Sequence, residues 1–169
     1  MTETIGANVR QSLRPNIERK KMETYIHKCH LSVRDADLDS FQGVPGHKFL
    51  EYFSHASTHM IKILGWDIKK LFENGYECTI LDIRLSFKKS LYADDEFEVY
   101  SDLKFKGSAA PQTIFDQAIY REKDHSIIAT AKYTGCVLDL KTKEIAEINV
   151  LNTALLKYLE NNNVYQIPE

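Results

Sequence analysis

The chain has 169 residues, 43% of them hydrophobic, with 22 Lys plus Arg against 24 Asp plus Glu and a formal net charge of −2. That length and apolar content suit a single domain with its own core, and the near-balanced charge argues against a protein whose main work is gripping nucleic acid by its phosphates. No apolar run approaches the ~20 residues that span a bilayer, and the N-terminal MTETIGANVRQSLRPNIERKK lacks the apolar stretch of a signal peptide, so the expectation is a cytoplasmic protein with no membrane partner.

The three cysteines, Cys29, Cys78 and Cys136, are odd in number, far apart and without a CxxC pair. They read as small buried hydrophobes rather than as a disulfide framework or a zinc ribbon.

Residues 1–22 show no sustained period and end in Arg19-Lys20-Lys21, a loosely ordered lead-in to a single domain over 23–169. Residues 23–33 are rich in strand-compatible side chains and give the first strand. An acidic loop follows, with Asp35, Asp37 and Asp39, then a breaker cluster from Gln42 to Gly46. From about His47 to Leu64 the pattern is helical. Steps of about 100° put Phe49, Phe53, Ala56, Met60, Ile63 and Leu64 on one side, with Lys48, Glu51, His55, Thr58 and Lys62 opposite. Gly65 stops that helix, and residues 66–72 form a short second one closed by Asn74-Gly75.

Beyond Gly75 the period changes to two. Thr79, Leu81, Ile83, Leu85 and Phe87 fall on one face of a strand. Phe97, Val99, Leu103 and Phe105 face inward from the next, which follows a turn at Asp94-Asp95. Strands at 112–122 and 127–140 return antiparallel, and 150–161 has a final helical pattern. The order is strand, long helix, four strands in a meander and a terminal helix, an α+β plan. The sheet has one long amphipathic element with which to cover its apolar face, so it should curl around the helix at 47–64.

The chemistry concentrates where strand, acidic loop and helix start meet. The first N–H groups of a helix have no intrahelical partner, and the helix dipole favours negative charge there. A loop carboxylate and a set of free N–H donors are therefore expected to face one pocket. Gly46 has no side chain to obstruct the approach. The bland alternative is that the aspartates cap and solvate the loop. His47, Glu51, His55 and His59 are spaced by four, but successive steps drift by about 40°, so they cannot converge on one ion; a polar surface or subunit contact is expected, with no metal.

The segments VRDADLDSFQGVPGHKFLEYF, FKKSLYADDEFEV and ATAKYTGCVLDLKTKE, in that order and spacing, resemble the single hotdog acyl-CoA thioesterases typified by 4-hydroxybenzoyl-CoA thioesterase. The resemblance spans roughly residues 25–145. It implies a hotdog fold, a curled five-stranded antiparallel sheet around one central helix, and hydrolysis of an acyl thioester on coenzyme A or a carrier protein without metal or redox cofactor. The family's loop aspartate matches Asp39 and its backbone donor matches Gly46. This chain has Gln42 where the family commonly has glycine, Gly46 where it has an aromatic residue or histidine, and Phe49 where it has tyrosine. In other hotdog branches the base is a helix carboxylate, here Glu51. A 3-hydroxyacyl-thioester dehydratase using His47 and a non-catalytic acyl-thioester binder are the alternatives. Arg84, Lys88 and Lys89 are candidates for the phosphates of coenzyme A, or an ordinary solvated strand edge. Exposed sheet edges invite pairing, and the resemblance implies a homodimer, often paired again into a homotetramer, with sites at the interface.

Overall fold

The computed structural model describes residues 25–106 and 112–146. The lead-in at 1–22 and the helix expected over 150–161 lie outside the described residues. Strand β1 (His27–Ser32) leads through a 3₁₀ turn at Asp35–Asp37 to helix α1 (Gly46–Ile63) and helix α2 (Ile68–Glu73). Strands β2 (Tyr76–Phe87), β3 (Glu96–Lys106), β4 (Gln112–Arg121) and β5 (Ile127–Asp139) follow.

The helix boundaries have local causes. Pro45, extended at φ −71°, stands just before α1, and Gly65 ends it at φ +74°, a left-handed conformation open to glycine. The Asp67 side chain then caps α2, accepting from the Lys70 N–H at 3.0 Å.

All four strand pairings are antiparallel, in the order β1-β3-β4-β5-β2. The meander expected over four strands covers only β3 to β5. β2 does not pair with β3; it occupies the far edge beside β5, and the chain crosses back over residues 88–95. Alternation shows which face of a strand is buried but not which neighbour it takes. That crossing segment is anchored, with the Lys88 and Lys89 N–H groups on the Ile128 carbonyl and Leu91 fully buried.

Phe97, Val99, Leu103 and Phe105 line the inner face of the sheet as expected. Phe49, Phe53, Ala56 and Met60 of α1 are buried with them, and so is Tyr52. Ile63, expected in that stripe, is 62% exposed. Leu64, expected in the same stripe, is buried, and Ile61 is partly buried beside it, in a second cluster with Trp66 and Leu71. A helical stripe gives a direction; burial also needs something beneath it.

β2 carries a second correction. Its pairing runs from Ile80 opposite Gly135 to Asp82 opposite Thr134, leaving Leu81 as a bulge. The extra residue inverts the alternation. Ile83, Leu85 and Phe87 share a face with Tyr133, Ala131 and Ala129, but upstream of the bulge that face passes to Cys78 and Ile80. Thr79, expected beside Ile83, turns to the other side and pairs with Cys136. β2 is the sheet edge, and Ile80, Leu81, Ile83 and Phe87 are all exposed there. A five-stranded antiparallel sheet curled around one long helix is the hotdog architecture.

Candidate active site

The loop between β1 and α1 is held by its own polar groups. Asp39 Oδ1 accepts from the backbone N–H of Phe41 at 2.8 Å and of Gly43 at 3.2 Å. The Asp39 N–H donates to the Gly43 carbonyl at 2.9 Å, and the Gln42 N–H to the Asp39 carbonyl at 3.0 Å. Gln42 sits at φ +61°, a conformation glycine adopts without steric cost, which accounts for the glycine common at this place in the resembling family. Asp39 Oδ1 is committed to this turn, and Asp39 Oδ2 has no hydrogen-bond partner among the described residues.

The loop passes straight into α1. The Val44 N–H donates to the Leu91 carbonyl at 3.0 Å, and Gly43 forms an isolated bridge with Tyr92. The start of α1 has no side-chain cap and no acidic residue in its first turn. The Lys48 N–H donates back to the Pro45 carbonyl at 3.0 Å, while the Gly46 and His47 N–H groups have no acceptor among the described residues. A Cβ at Gly46 would stand 3.6 Å from Phe87 Cζ, an ordinary contact, so packing within this chain does not demand glycine there. Its absent side chain leaves the N–H open to approach.

Asp37, which the sequence offered only as one more acidic loop residue, is the most heavily bonded carboxylate of the loop. It is 1% exposed. Its Oδ1 accepts from Arg34 Nη2 at 3.0 Å; its Oδ2 accepts from Arg34 Nε at 3.1 Å, the Arg34 backbone N–H at 3.3 Å and the Tyr52 hydroxyl at 3.0 Å. Lys48 Nζ lies 3.6 Å from Oδ1. The Arg34 hydrogen bonds, outweighing burial, hold this carboxyl down at about 2. Burial and the neighbouring carboxylate push the Tyr52 hydroxyl well up. The signal available beforehand was an Arg and an Asp three residues apart, with a Tyr on the apolar side of the coming helix.

The remaining candidates are scattered. Glu51 is exposed and paired with Lys48 Nζ at 2.7 Å. His47 and His55 are exposed, and His59 Nδ1 lies 2.9 Å from His27 Nε2, so the stripe meets β1 at its far end. Arg84 pairs with Asp82 at 3.2 Å on the exposed edge strand. Lys88 and Lys89 follow Phe87, beside Gly46, and neither ammonium is within ion-pairing distance of a carboxylate among the described residues.

Further along α1 lies a cavity of about 220 Å³ between the helix and the inner face of the sheet. Ser54, Thr58 and Ile61 line it from α1, Ile80 from β2, and Tyr133 and Gly135 from β5. Gly135 relieves crowding here: a Cβ would stand 3.0 Å from both the Thr79 carbonyl oxygen and Thr113 Oγ1, so a side chain would need these neighbours to give by a few tenths of an ångström.

Fold and loop together define a hotdog domain with an available carboxylate oxygen in the loop that enters an uncapped helix start. Comparison with known proteins agrees on the fold and gives the family. The chain is 23% identical over 138 residues to the chloroplastic acyl-acyl carrier protein thioesterase ATL3 of Arabidopsis thaliana, covering 82% of this chain and 72% of that one. It is 25% identical over 116 residues to the Arabidopsis thaliana thioesterase ATL2, also chloroplastic and of the same kind, covering 69% and 61%. Among solved structures, Slr0204, a 1,4-dihydroxy-2-naphthoyl-CoA thioesterase from Synechocystis, superposes with a TM-score of 0.67 at 17% identity, over 76% of this chain and 94% of that one. The Thioesterase-like superfamily matches residues 33–159, and the chain belongs to that family. No helix among the described residues is long and apolar enough to cross a membrane.

Proposed function

We propose that this chain hydrolyses an acyl thioester to a free acid and a thiol, with the Asp39 carboxylate and the Gly46 N–H as its working groups. The observation that carries the reading is the junction itself: Asp39 keeps one oxygen uncommitted, and the loop it shapes delivers the chain to a helix start whose Gly46 N–H has no other acceptor among the described residues. In this reading Asp39 Oδ2 takes a proton from the attacking water, or attacks the carbonyl carbon itself. Either route puts negative charge on the carbonyl oxygen, where the Gly46 N–H and the positive end of the α1 dipole stabilise it. Breaking the carbon–sulfur bond expels the thiolate. In the water route it takes up the proton that Asp39 holds, and the acid is formed at once. In direct attack it is protonated from solvent, and water then opens the acyl–Asp39 anhydride to the free acid and the Asp39 carboxylate.

The acyl tail has a place in the same reading. Ser54 and Ile61 lie about 12 and 22 Å beyond Gly46 at ~1.5 Å per helical residue. An extended chain gains ~1.2 Å per bond, so an aliphatic tail of on the order of ten carbons reaches the cavity from Gly46. A compact aromatic acyl group does not. Coenzyme A and carrier protein offer the acyl group on the same kind of phosphate-bearing thiol arm, for which Lys88 and Lys89, beside Phe87, are the cations. The exposed β2 edge supports a homodimer formed by strand pairing there. The dehydratase reading is weaker, because exposed His47 has no carboxylate partner among the described residues to orient it.

Thiol release from a panel of acyl-CoAs and acyl-carrier proteins tests the activity, and Asp39→Asn with Glu51→Gln tests the site. Asp39→Asn should lower kcat by on the order of a hundredfold or more, and Glu51→Gln by several-fold at most. Near-normal turnover in Asp39→Asn with loss in Glu51→Gln moves the base to the helix. Single turnover in heavy-oxygen water, followed by analysis of the Asp39 carboxylate, separates direct attack from water activation.

A further inference from the structure

The hydrogen bonds that Asp39 makes are internal to its own loop, reaching Phe41 and Gly43. They give the loop its shape but do not place it against α1. The helix start has no side-chain cap to supply that link. Among the described residues, the loop side chain that reaches α1 by hydrogen bond or ion pair is Asp37, through Tyr52 and Lys48.

From this geometry we infer that Asp37 is a positioning residue: its buried carboxylate clamps the Asp39 loop onto the first two turns of α1 and so sets where the Asp39 carboxylate stands relative to the Gly46 N–H. The inference rests on the reading that these two groups do the chemistry. Asp37 lies two residues before Asp39, and its partners bracket the site: Arg34 at the exit of β1, Lys48 two residues past Gly46, and Tyr52 one turn further on. Both of its oxygens work only as acceptors. Oδ1 takes Arg34 Nη2, and Oδ2 takes Arg34 Nε and N together with the Tyr52 hydroxyl. An amide of the same shape cannot replace it, because whichever oxygen becomes NH₂ must face a donor. Arg34, 71% exposed at its side chain, turns into water when it faces the new NH₂, and the Tyr52 hydroxyl is left with a neutral amide in place of an ionised acceptor. The clamp so loses its Arg34 fork, its charge toward Lys48 and the charge-assisted strength of its bond to α1. The loop should then drift on α1 while the fold persists.

A double-mutant cycle on the full chain, assayed with dodecanoyl-CoA, tests this. Asp37→Asn should lower kcat tenfold to a hundredfold, the scale of a misplacement of about 1 Å, with KM within about twofold and a cooperative melt retained. Added to Asp39→Asn, it should cost no more than about twofold further, because residues that act as a unit are not additive. Tyr52→Phe, which removes one hydroxyl, should show the same non-additivity on a smaller scale and serves if Asp37→Asn does not fold. Effects that multiply in the double variant, or an Asp37→Asn kcat within about twofold of the parent, overturn the inference and leave Asp39 in place. An Asp39→Asn protein with parental kcat overturns the reading of the site and the inference with it.

Discussion

The Tyr52 hydroxyl donates to Asp37 Oδ2 at 3.0 Å, joining the second turn of α1 to the loop that carries Asp39. Tyr52 is 6% exposed and Asp37 1%, so the bond is shielded from water on both sides. Its acceptor is ionised. Hydrogen bonds of this kind contribute about 1.5–3 kcal/mol, and Tyr52→Phe should therefore destabilise the fold by about 2 kcal/mol in denaturant titration with an unchanged slope. A midpoint shift below about 0.5 kcal/mol would mean that the bond is not maintained in solution.

The same carboxyl makes stability depend on pH. Its folded value of about 2 lies below the ordinary 3.8, so the folded state binds fewer protons than the unfolded chain between those values. The stabilisation is complete above about pH 4 and is lost as pH falls toward 2; for a shift of this size it amounts to on the order of 2 kcal/mol. The stability difference between the parent and Asp37→Asn should be constant from pH 7 to 5 and narrow across that acid window. A gap that persists unchanged to pH 2 would assign it to packing rather than charge.

If an aliphatic tail occupies the cavity, Thr58 is the place to shorten it. Thr58 lines the cavity from an exposed helix position, so a larger side chain adds bulk there without disturbing the core. Thr58→Phe should lower kcat/KM for dodecanoyl-CoA by at least tenfold, within the range of losing a few methylene contacts, and leave hexanoyl-CoA within about twofold. Equal loss on both substrates would remove the cavity from the acyl path.

A dimer through β2 depends on its apolar edge. Ile83 is 41% exposed and central in that strand. Ile83→Lys places a charge where the partner strand should pack, and sedimentation should move from dimer to monomer at micromolar concentration. A parent that already sediments as a monomer ends the proposal of an interface at this edge.

Much of this was open to inspection in the residue pattern, and the reason is periodicity. The apolar spacing of Phe49, Phe53, Ala56 and Met60 permits one helix face, and the alternation of Phe97, Val99, Leu103 and Phe105 permits one sheet face. Local chemistry likewise placed the stop at Gly65. These are properties of neighbours along the chain. The bulge at Leu81 was hidden because a single extra residue leaves composition and hydropathy untouched while inverting every side chain beyond it.

The sequence by itself determined an α+β domain, its central helix, the acidic loop ahead of it and the family, since each is written in spacing and short motifs. Which strand lies beside which was decided by tertiary structure: β2 lies beside β5 at the far edge, with the crossing segment at 88–95 held on the Ile128 carbonyl, and the local alternation of a strand does not encode a distant neighbour. Tertiary structure also separated three aspartates that look alike in the chain. Asp35 stays exposed, Asp37 is buried against Arg34 and Tyr52, and Asp39 turns inward on its own loop, because hydrogen-bond partners come from whatever the fold brings near.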